Sequence, residues 1–320
     1  IMPDAHAGKG CVVGFTAKVD DFIVPSLIGV DIGCGVYTTK LETPIDDFAM
    51  FDDIVRSKIP MGTNVNKSNT CDIRKLNLRC YDKLKNTRRI DKSLGTLGGG
   101  NHYIEIDENS KGDQYIVIHT GSRNLGKQIC NIYQQLAIET CKEDINDDLK
   151  YLEGDNMDDY IHDMLTAESF AIMNRKKIME NISRALGVRV IDAFDTMHNY
   201  YSSDGYIRKG AICADKGKHV TIPFNMKDGA IIGVGKGNAD WNNSAPHGAG
   251  RQMSRTKAKN SIQLPDFMEQ MKGIYSTSVC SSTIDEAPDA YKPIDSILKY
   301  IDETVEIEEH VMSVYNAKAK

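Results

Sequence analysis

The sequence predicts an α+β fold, and three observations carry that reading. Residues 115 to 119 (YIVIH) are a short apolar run of strand length that ends in a glycine turn and opens a helical pattern. Residues 157 to 186 hold the clearest helical period of the chain. Between Tyr206 and Gly235 short β-like runs alternate with turn residues, and strands and helices never alternate regularly enough for a doubly wound nucleotide fold.

Taken in order, the YIVIH strand leads into a helix expected from about Gly126 to Lys142, with Ile129, Ile132, Tyr133 and Leu136 on one stripe. The helix over 157–186 places Ile161, Leu165, Ile172, Ile178, Met179, Ile182 and Leu186 at helical spacing, and Gly187 is its stop signal. "YIRKGAICA", "KHVTIPF" and "GAIIGVG" then read as a meander or a hairpin pair. A last amphipathic helix is expected from about Ile294 to Val314.

At 320 residues the chain exceeds the usual size of one core, yet it contains no low-complexity linker and no internal repeat, which leaves one large domain or two. Its hydrophobic fraction of 41% and charged fraction of 26% are those of an ordinary globular protein, and no stretch of 18 apolar residues offers a membrane span. Cys11, Cys34, Cys71, Cys80, Cys130, Cys141, Cys213 and Cys280 are scattered without a CxxC pair. That pattern fits reduced thiols, and a cytoplasmic location is expected. The start on Ile1-Met2-Pro3-Asp4 suggests that natural residues upstream have been removed. A net charge of -6 argues against a protein that coats nucleic acid without specificity. Basic residues nonetheless cluster beside glycine-rich segments, among them Arg88, Arg89, Arg123, Arg251 and Arg255.

The histidines carry the chemistry. His6 lies in "MPDAHAGKG", His102 in "GTLGGGNHYIEI", His119 in "VIHTGSR", His198 in "DTMHNY" and His247 in "APHGAGR", all loops or strand ends, whereas His162, His219 and His310 sit in ordinary helix or strand contexts. "GVDIGCGV" adds Asp31 and Cys34, three apart around a glycine. Taken singly, Cys34 reads as a small buried residue and Asp31 as a turn cap. Together with the imidazoles they are ligands for a borderline-soft divalent metal, and a thiolate can bridge two cations, so a two-metal site is feasible. If "NHYIE" is a strand, His102 and Glu105 fall on opposite faces and need a bend, which Gly98-Gly99-Gly100 can supply. His247 is stripped of bulky neighbours, and Arg251 and Arg255 follow it at helical-turn spacing, as if something large must approach it. "GVGKGN" lacks P-loop spacing, and Lys227-Asp228-Gly229 lacks the spacing of a lysine nucleotidyl transferase.

"MPDAHAGKG", "GVDIGCGV", "SLGTLGGGNHYIEI", "VIHTGSRNLG", "MHNYY", "RKGA" and "HGAGRQMSR", in this order, resemble the RtcB family of RNA ligases, with a weaker echo in "EAPDAYKPI". The resemblance runs from residue 1 to about 259 and implies an RtcB-like fold, mixed β-sheets around a central metal cleft with flanking helices. It also implies one ligase domain over 1–320, truncated at its N-terminus. The implied activity joins RNA 3′-phosphate or 2′,3′-cyclic phosphate ends to 5′-hydroxyl ends in RNA repair or tRNA splicing, using GTP and two Mn²⁺ ions through a histidine–GMP intermediate. An activating protein partner is left open.

The same resemblance implies roles residue by residue. Asp31, Cys34 and His102 match the ligands of one manganese, and Cys34, His119 and His198 those of the other. His247 matches the nucleophile that takes GMP, and Asp4 the carboxylate that orients it. Asn101, Glu105 and Asn199 match groups around the GTP, Gly248, Ala249 and Gly250 would admit the nucleotide, Lys318 best matches a C-terminal lysine that contacts the base, Asn225 is a candidate GTP contact, and Arg88, Arg89, Arg123 and Arg251 are candidate phosphate or RNA contacts. The chain departs from the family where "PFNMKDGA" replaces a Gly-Ser-Met loop, so Asn225 and Lys227 stand where serines face the nucleotide in other members. A metal-dependent RNA-end binding module and a binuclear phosphoesterase are the alternatives that use the same ligands.

Overall fold

The computed structural model describes residues 1–320. Fourteen strands and seven α-helices follow one another along the chain. The first part runs β1 (Phe15–Lys18), β2 (Phe22–Ile23), β3 (Gly35–Leu41), α1 (Phe48–Lys58), α2 (Thr87–Ile90), β4 (Tyr103–Glu108), β5 (Gln114–Thr120) and α3 (Arg123–Thr140). The middle holds β6 (Leu152–Glu153), α4 (Gly154–Leu186), β7 (Val190–Met197), β8 (Asn199–Tyr201), β9 (Tyr206–Lys209), β10 (Ala211–Cys213), β11 (His219–Pro223) and β12 (Ala230–Gly235). The last part is β13 (Ser244–Pro246), α5 (Arg255–Ser261), α6 (Leu264–Gln270), α7 (Asp295–Ile301) and β14 (Val305–Ala317). The mixture of helices and sheets matches the predicted α+β class. No helix is long and apolar enough to cross a membrane.

A seven-stranded sheet in the order β11-β12-β14-β4-β5-β3-β7 organises the site. Every pairing in it is antiparallel. β5 is buried along its whole length because both of its faces are covered. Ile104, Ile106, Ile116 and Ile118 pack on one side against Phe51 and Val55 of α1 and Ile178, Met179 and Ile182 of α4. Tyr103, Tyr115 and Val117 pack on the other against Val36, Ala230, Ile232 and Val311, residues of the same sheet. The sheet therefore curls on itself. Its edges nearly meet, since the Thr221 N–H on β11 donates to Thr196 Oγ1 on β7 at 3.1 Å and the Thr38 and Thr221 hydroxyls lie 2.7 Å apart.

The helix expected from Gly126 begins at Arg123, and the one expected from 157 begins at Gly154. Gly187 does end α4, at φ +72°, with its N–H on Ser183 O. The C-terminal expectation is corrected. In place of one helix from 294 to 314, α7 stops at Ile301 and β14 follows. Val311, Ser313 and Tyr315 are buried at every second position, and β14 is inserted between β12 and β4, so pairing on both sides overrides the helical reading of the acidic run.

Candidate active site

The ligand-bearing segments converge at one end of the curled sheet. Asp31 and Cys34 flank a turn closed by the Cys34 N–H on Asp31 O at 3.1 Å, just before β3. His119 lies on β5 opposite Val36 of β3 and Tyr103 of β4, and His198, between β7 and β8, donates its N–H to Cys34 O at 2.9 Å. His102 immediately precedes β4, so the bend expected from the glycine run falls outside the strand, and Glu105 lies within it.

Side-chain donors then meet in two groups that share Cys34: Asp31, Cys34 and His102, and Cys34, His119 and His198. Cys34 Sγ lies 3.2 Å from His119 Nε2 and 3.6 Å from His102 Nε2. His102 Nε2 is 2.9 Å from Asp31 Oδ2, and the Nε2 atoms of His119 and His198 are 3.0 Å apart. The backs of two rings are fixed. His102 Nδ1–H donates to Leu97 O at 3.0 Å and His119 Nδ1–H to Asn101 O at 3.1 Å, which leaves both Nε2 lone pairs facing inward. Burial, reinforced by neighbouring histidines, holds His119 well below the usual histidine range and His198 down to about 3. Both are thus neutral, the form that binds a metal. Burial and the Asp31 carboxylate push the Cys34 thiol well up, so a thiolate there calls for a cation beside it. Three imidazoles, one sulfur and one carboxylate within a few ångströms fit a pair of divalent ions in which Cys34 is shared.

A second constellation adjoins the first. The N-terminal segment hangs on β9 through the Gly14 N–H to Lys209 O, and Lys292 Nζ ties it down by donating to Pro3 O and Ala5 O at 3.1 and 2.7 Å. This presents Asp4, which is fully buried, to His247 at the end of β13. Asp4 Oδ2 accepts from the His247 N–H at 3.1 Å and lies 2.5 Å from Nδ1. His247 Nε2 is left open. The ring centroids of His198 and His247 are 4.9 Å apart, so the second constellation touches the ligand set. Gly210, at φ +62°, makes room for the imidazole, since a Cβ there would stand 3.0 Å from His247 Cε1. Gly250 lets the chain wrap Asp4, whose carbonyl oxygen a Cβ would overlap at 2.1 Å.

His247 opens on a cavity of about 570 Å³, within the usual range for a bound small molecule. Among its walls are Asn101, Glu105, Asn225, Gly248, Ala249, Gly250, Arg251 and Lys318. Burial and Asp107 hold the Glu105 carboxyl well above the carboxylate range, against the pull of Lys318. Asn225 spends its side chain in its own turn, accepting from the Lys227 and Asp228 N–H groups, and Lys227 is exposed. Asn199, expected around the nucleotide, is not among the residues that line the cavity; its amide is bonded to Asp31 O and its oxygen accepts from the Gly210 N–H.

The arginines divide. Arg123 lies against Gly98 and donates to Thr96 Oγ1 and Gly62 O, with one terminal nitrogen 3.5 Å from His102 Nδ1. Arg88 and Arg89 stand exposed on α2, away from the cavity. Arg251 reaches the cavity but donates to Glu286, Asp285 O and Met253 O.

Sequence reasoning missed Glu286. It receives Arg255 Nη1 at 2.6 Å, the Tyr291 hydroxyl at 2.8 Å, and Arg251 Nη1 and Lys318 Nζ at 3.3 Å. Burial alone would raise its carboxyl, but Lys318 and Arg255 outweigh it and pull the group down to about 2. The signal lay in the "EAPDAYKPI" stretch, which contains Glu286, Tyr291 and Lys292. His6 donates Nδ1–H to Asp4 O at 3.0 Å and also lines the cavity.

The chain matches the family described as "tRNA-splicing ligase RtcB" over residues 1–84 and 66–319. It is 31% identical to the RNA-splicing ligase RtcB of Escherichia coli K12, across 96% of this chain and 86% of that protein. Similarity extends to the tRNA-splicing ligase RtcB of Nanoarchaeum equitans, 26% identical over 93% of this chain and 83% of that one. An RNA-splicing ligase RtcB homolog of Entamoeba histolytica is also 26% identical, over 93% of this chain and 76% of its own length.

Proposed function

The chain belongs to the RtcB family and is an RNA ligase, and on that premise we propose that it seals RNA through a guanylylated His247, using GTP and two Mn²⁺ ions. One observation carries this reading: His247 has its Nδ1 held by a fully buried carboxylate and its Nε2 open, one ring away from the five-ligand cluster. A binuclear hydrolase would use the cluster and leave that imidazole without a purpose.

Asp31, Cys34 and His102 would hold one ion, and Cys34, His119 and His198 the other. When bound, they supply positive charge against phosphate oxygens as negative charge develops there. The chain's own residues do the rest. Asp4 accepts the hydrogen bond from His247 Nδ1–H and orients the ring, so that Nε2 presents its lone pair. Nε2 attacks the α-phosphorus of GTP; the P–N bond forms, the P–O bond to pyrophosphate breaks, and GMP stays on the imidazole. An oxygen of the RNA 3′-phosphate then takes GMP from His247, after hydrolysis of the cyclic phosphate where the end is cyclic. The 5′-hydroxyl oxygen attacks the activated 3′-phosphorus, GMP leaves, and the strand is joined.

Glu105 and Lys318 would contact the guanine from the cavity wall, Asn101 and the 248–250 backbone the phosphates. Arg88 and Arg89 would meet the RNA backbone outside the cavity. The substrates are RNA ends of the kinds generated when RNA is cleaved, in repair or tRNA splicing.

Product analysis tests the reading. The protein is given two RNA strands, one ending in a 2′,3′-cyclic phosphate and one beginning with a 5′-hydroxyl, together with GTP and Mn²⁺. A joined strand is expected, and His247→Ala is expected to abolish it. Release of 3′-phosphate RNA without joining would identify a phosphoesterase, and RNA binding without any conversion would identify a binding module.

A further inference from the structure

Two neighbouring side chains on α4 lie behind the ligand cluster and touch none of its donor atoms. Arg175 is fully buried. Its Nη1 donates to Gly33 O and to Thr120 O, both at 2.7 Å, while Nε and Nη2 grip the Asp195 carboxylate of β7, also at 2.7 Å. Gly33 is the residue before Cys34, and Thr120 is the residue after His119. Asn174 is fully buried too. Its Oδ1 accepts from the Gly95 and Thr96 N–H groups at 2.7 and 3.0 Å, and its Nδ2 donates to Thr96 O at 3.0 Å and Gly121 O at 3.2 Å. Thr96 leads directly to Leu97, whose carbonyl receives both the His102 ring proton and the Thr120 hydroxyl.

We propose that Asn174 and Arg175 form a clasp that sets the spacing of the metal-ligand segments, acting as positioning residues for Cys34, His119 and His102. This inference rests on the metal reading of the cluster. Three segments that are distant in sequence are each held through main-chain atoms by one turn of one helix. They need holding, because glycine at positions 33, 95, 98 and 121 leaves them little stiffness of their own. The contact is close: a Cβ on Gly33 would stand 2.8 Å from Ala171 Cβ and 2.9 Å from Glu168 Cα, so the turn lies directly on α4.

The residue types suit the task. A planar guanidinium can hold two carbonyls and a carboxylate at fixed angles, which a lysine ammonium cannot. The Asn174 amide uses both donors and both acceptor positions. Cation affinity depends steeply on ligand spacing, so outer groups of this kind affect binding without touching the ion.

The test is titration of the purified, metal-free full chain with Co²⁺, reading affinity together with the thiolate charge-transfer and ligand-field absorption bands. Arg175→Lys and Asn174→Ala are expected to weaken Co²⁺ binding about 10- to 100-fold and to alter the bands. Asp163→Asn is the comparison. Asp163 is a buried clasp on the same helix that holds the Arg79 and Cys80 N–H groups and the Tyr133 hydroxyl, remote from the ligands, and its variant is expected to bind Co²⁺ like the parent chain. Circular dichroism identifies the variants that fold, and either of the two clasp variants decides the matter by itself. Parental affinity and spectrum in a folded clasp variant would overturn the inference, as would equal weakening by Asp163→Asn. Failure of the parent chain to bind Co²⁺ would overturn the metal reading itself, and the clasp with it.

Discussion

Asp4 Oδ2 lies 2.5 Å from His247 Nδ1 and also accepts the backbone N–H of the same residue at 3.1 Å, so one buried oxygen fixes both the ring and the chain of His247. Few contacts in the molecule join residues so far apart in sequence, and this one specifies which nitrogen of the imidazole is free. With Nδ1 protonated toward Asp4, the lone pair sits on Nε2.

Asp4→Asn should therefore retain the fold and lose most of the rate of GMP transfer to His247. An amide can place its NH₂ toward Nδ1 and so favour the wrong tautomer, an effect worth about 10²- to 10⁴-fold when an orienting carboxylate is replaced. Single-turnover formation of the adduct measures it. An unchanged rate would remove Asp4 from the mechanism.

Cys34 belongs to both donor groups and Asp31 to one. Cys34→Ser is expected to weaken both ions together, by roughly 100-fold or more, whereas Asp31→Asn should weaken one and spare the other. Equilibrium dialysis against Mn²⁺ with metal analysis distinguishes the two. Loss of a single ion in Cys34→Ser would contradict a shared sulfur.

Asp107 gives a pH dependence of known sign. It is fully buried, neither of its oxygens has a hydrogen-bond partner, and burial lifts its carboxyl to about 8. In the unfolded chain it ionises near pH 4. Between those values the folded chain binds the proton more tightly, so raising the pH from about 4 to 8 withdraws stability. Asp107→Asn should remove this dependence and be more stable than the parent by on the order of 1–3 kcal/mol at pH 8, with little difference near pH 4. Denaturant unfolding at the two pH values checks it; the same difference at both would contradict it.

Glu286 works in the opposite sense. Its carboxyl is held down to about 2, so the stability it contributes is present above roughly pH 4.5 and is lost as the pH falls toward 2. Glu286→Gln leaves Arg251, Arg255 and Lys318 without their common anion, at a cost of about 3–5 kcal/mol. Lys318 also loses one of its two holds and keeps only the Asn101 carbonyl, so GTP affinity should fall in the variant that remains folded. Calorimetric GTP titration beside denaturant unfolding measures both, and unchanged stability would show the cluster to be energetically idle.

Much of this arrangement was legible in the motifs, because glycine-bounded histidines, a DxxC turn and a bare HGAG each constrain the backbone locally. Asp31, Cys34, His102, His119 and His198 stand together in the structure, as do Asp4 and His247, and Lys318 reaches the cavity from the end of β14. The rest depended on contacts across long distances in sequence. Glu286 looks like any acid until Arg255 and Lys318 arrive beside it, and Arg251, read as a phosphate contact, turns out to be bonded to protein groups. The segment 294–314 reads as one helix because the alternation of Val311, Ser313 and Tyr315 comes only after the acidic run at 302–309, and insertion between β12 and β4 makes that pattern decisive.

Whether His247 carries GMP is decided by incubation with α-labelled GTP and Mn²⁺, followed by denaturation and peptide mapping. A covalent label is expected on the peptide that contains His247, labile in acid as a phosphoramidate, absent with γ-labelled GTP and absent in His247→Ala. No label on the intact chain, or a label that persists in His247→Ala, would contradict it.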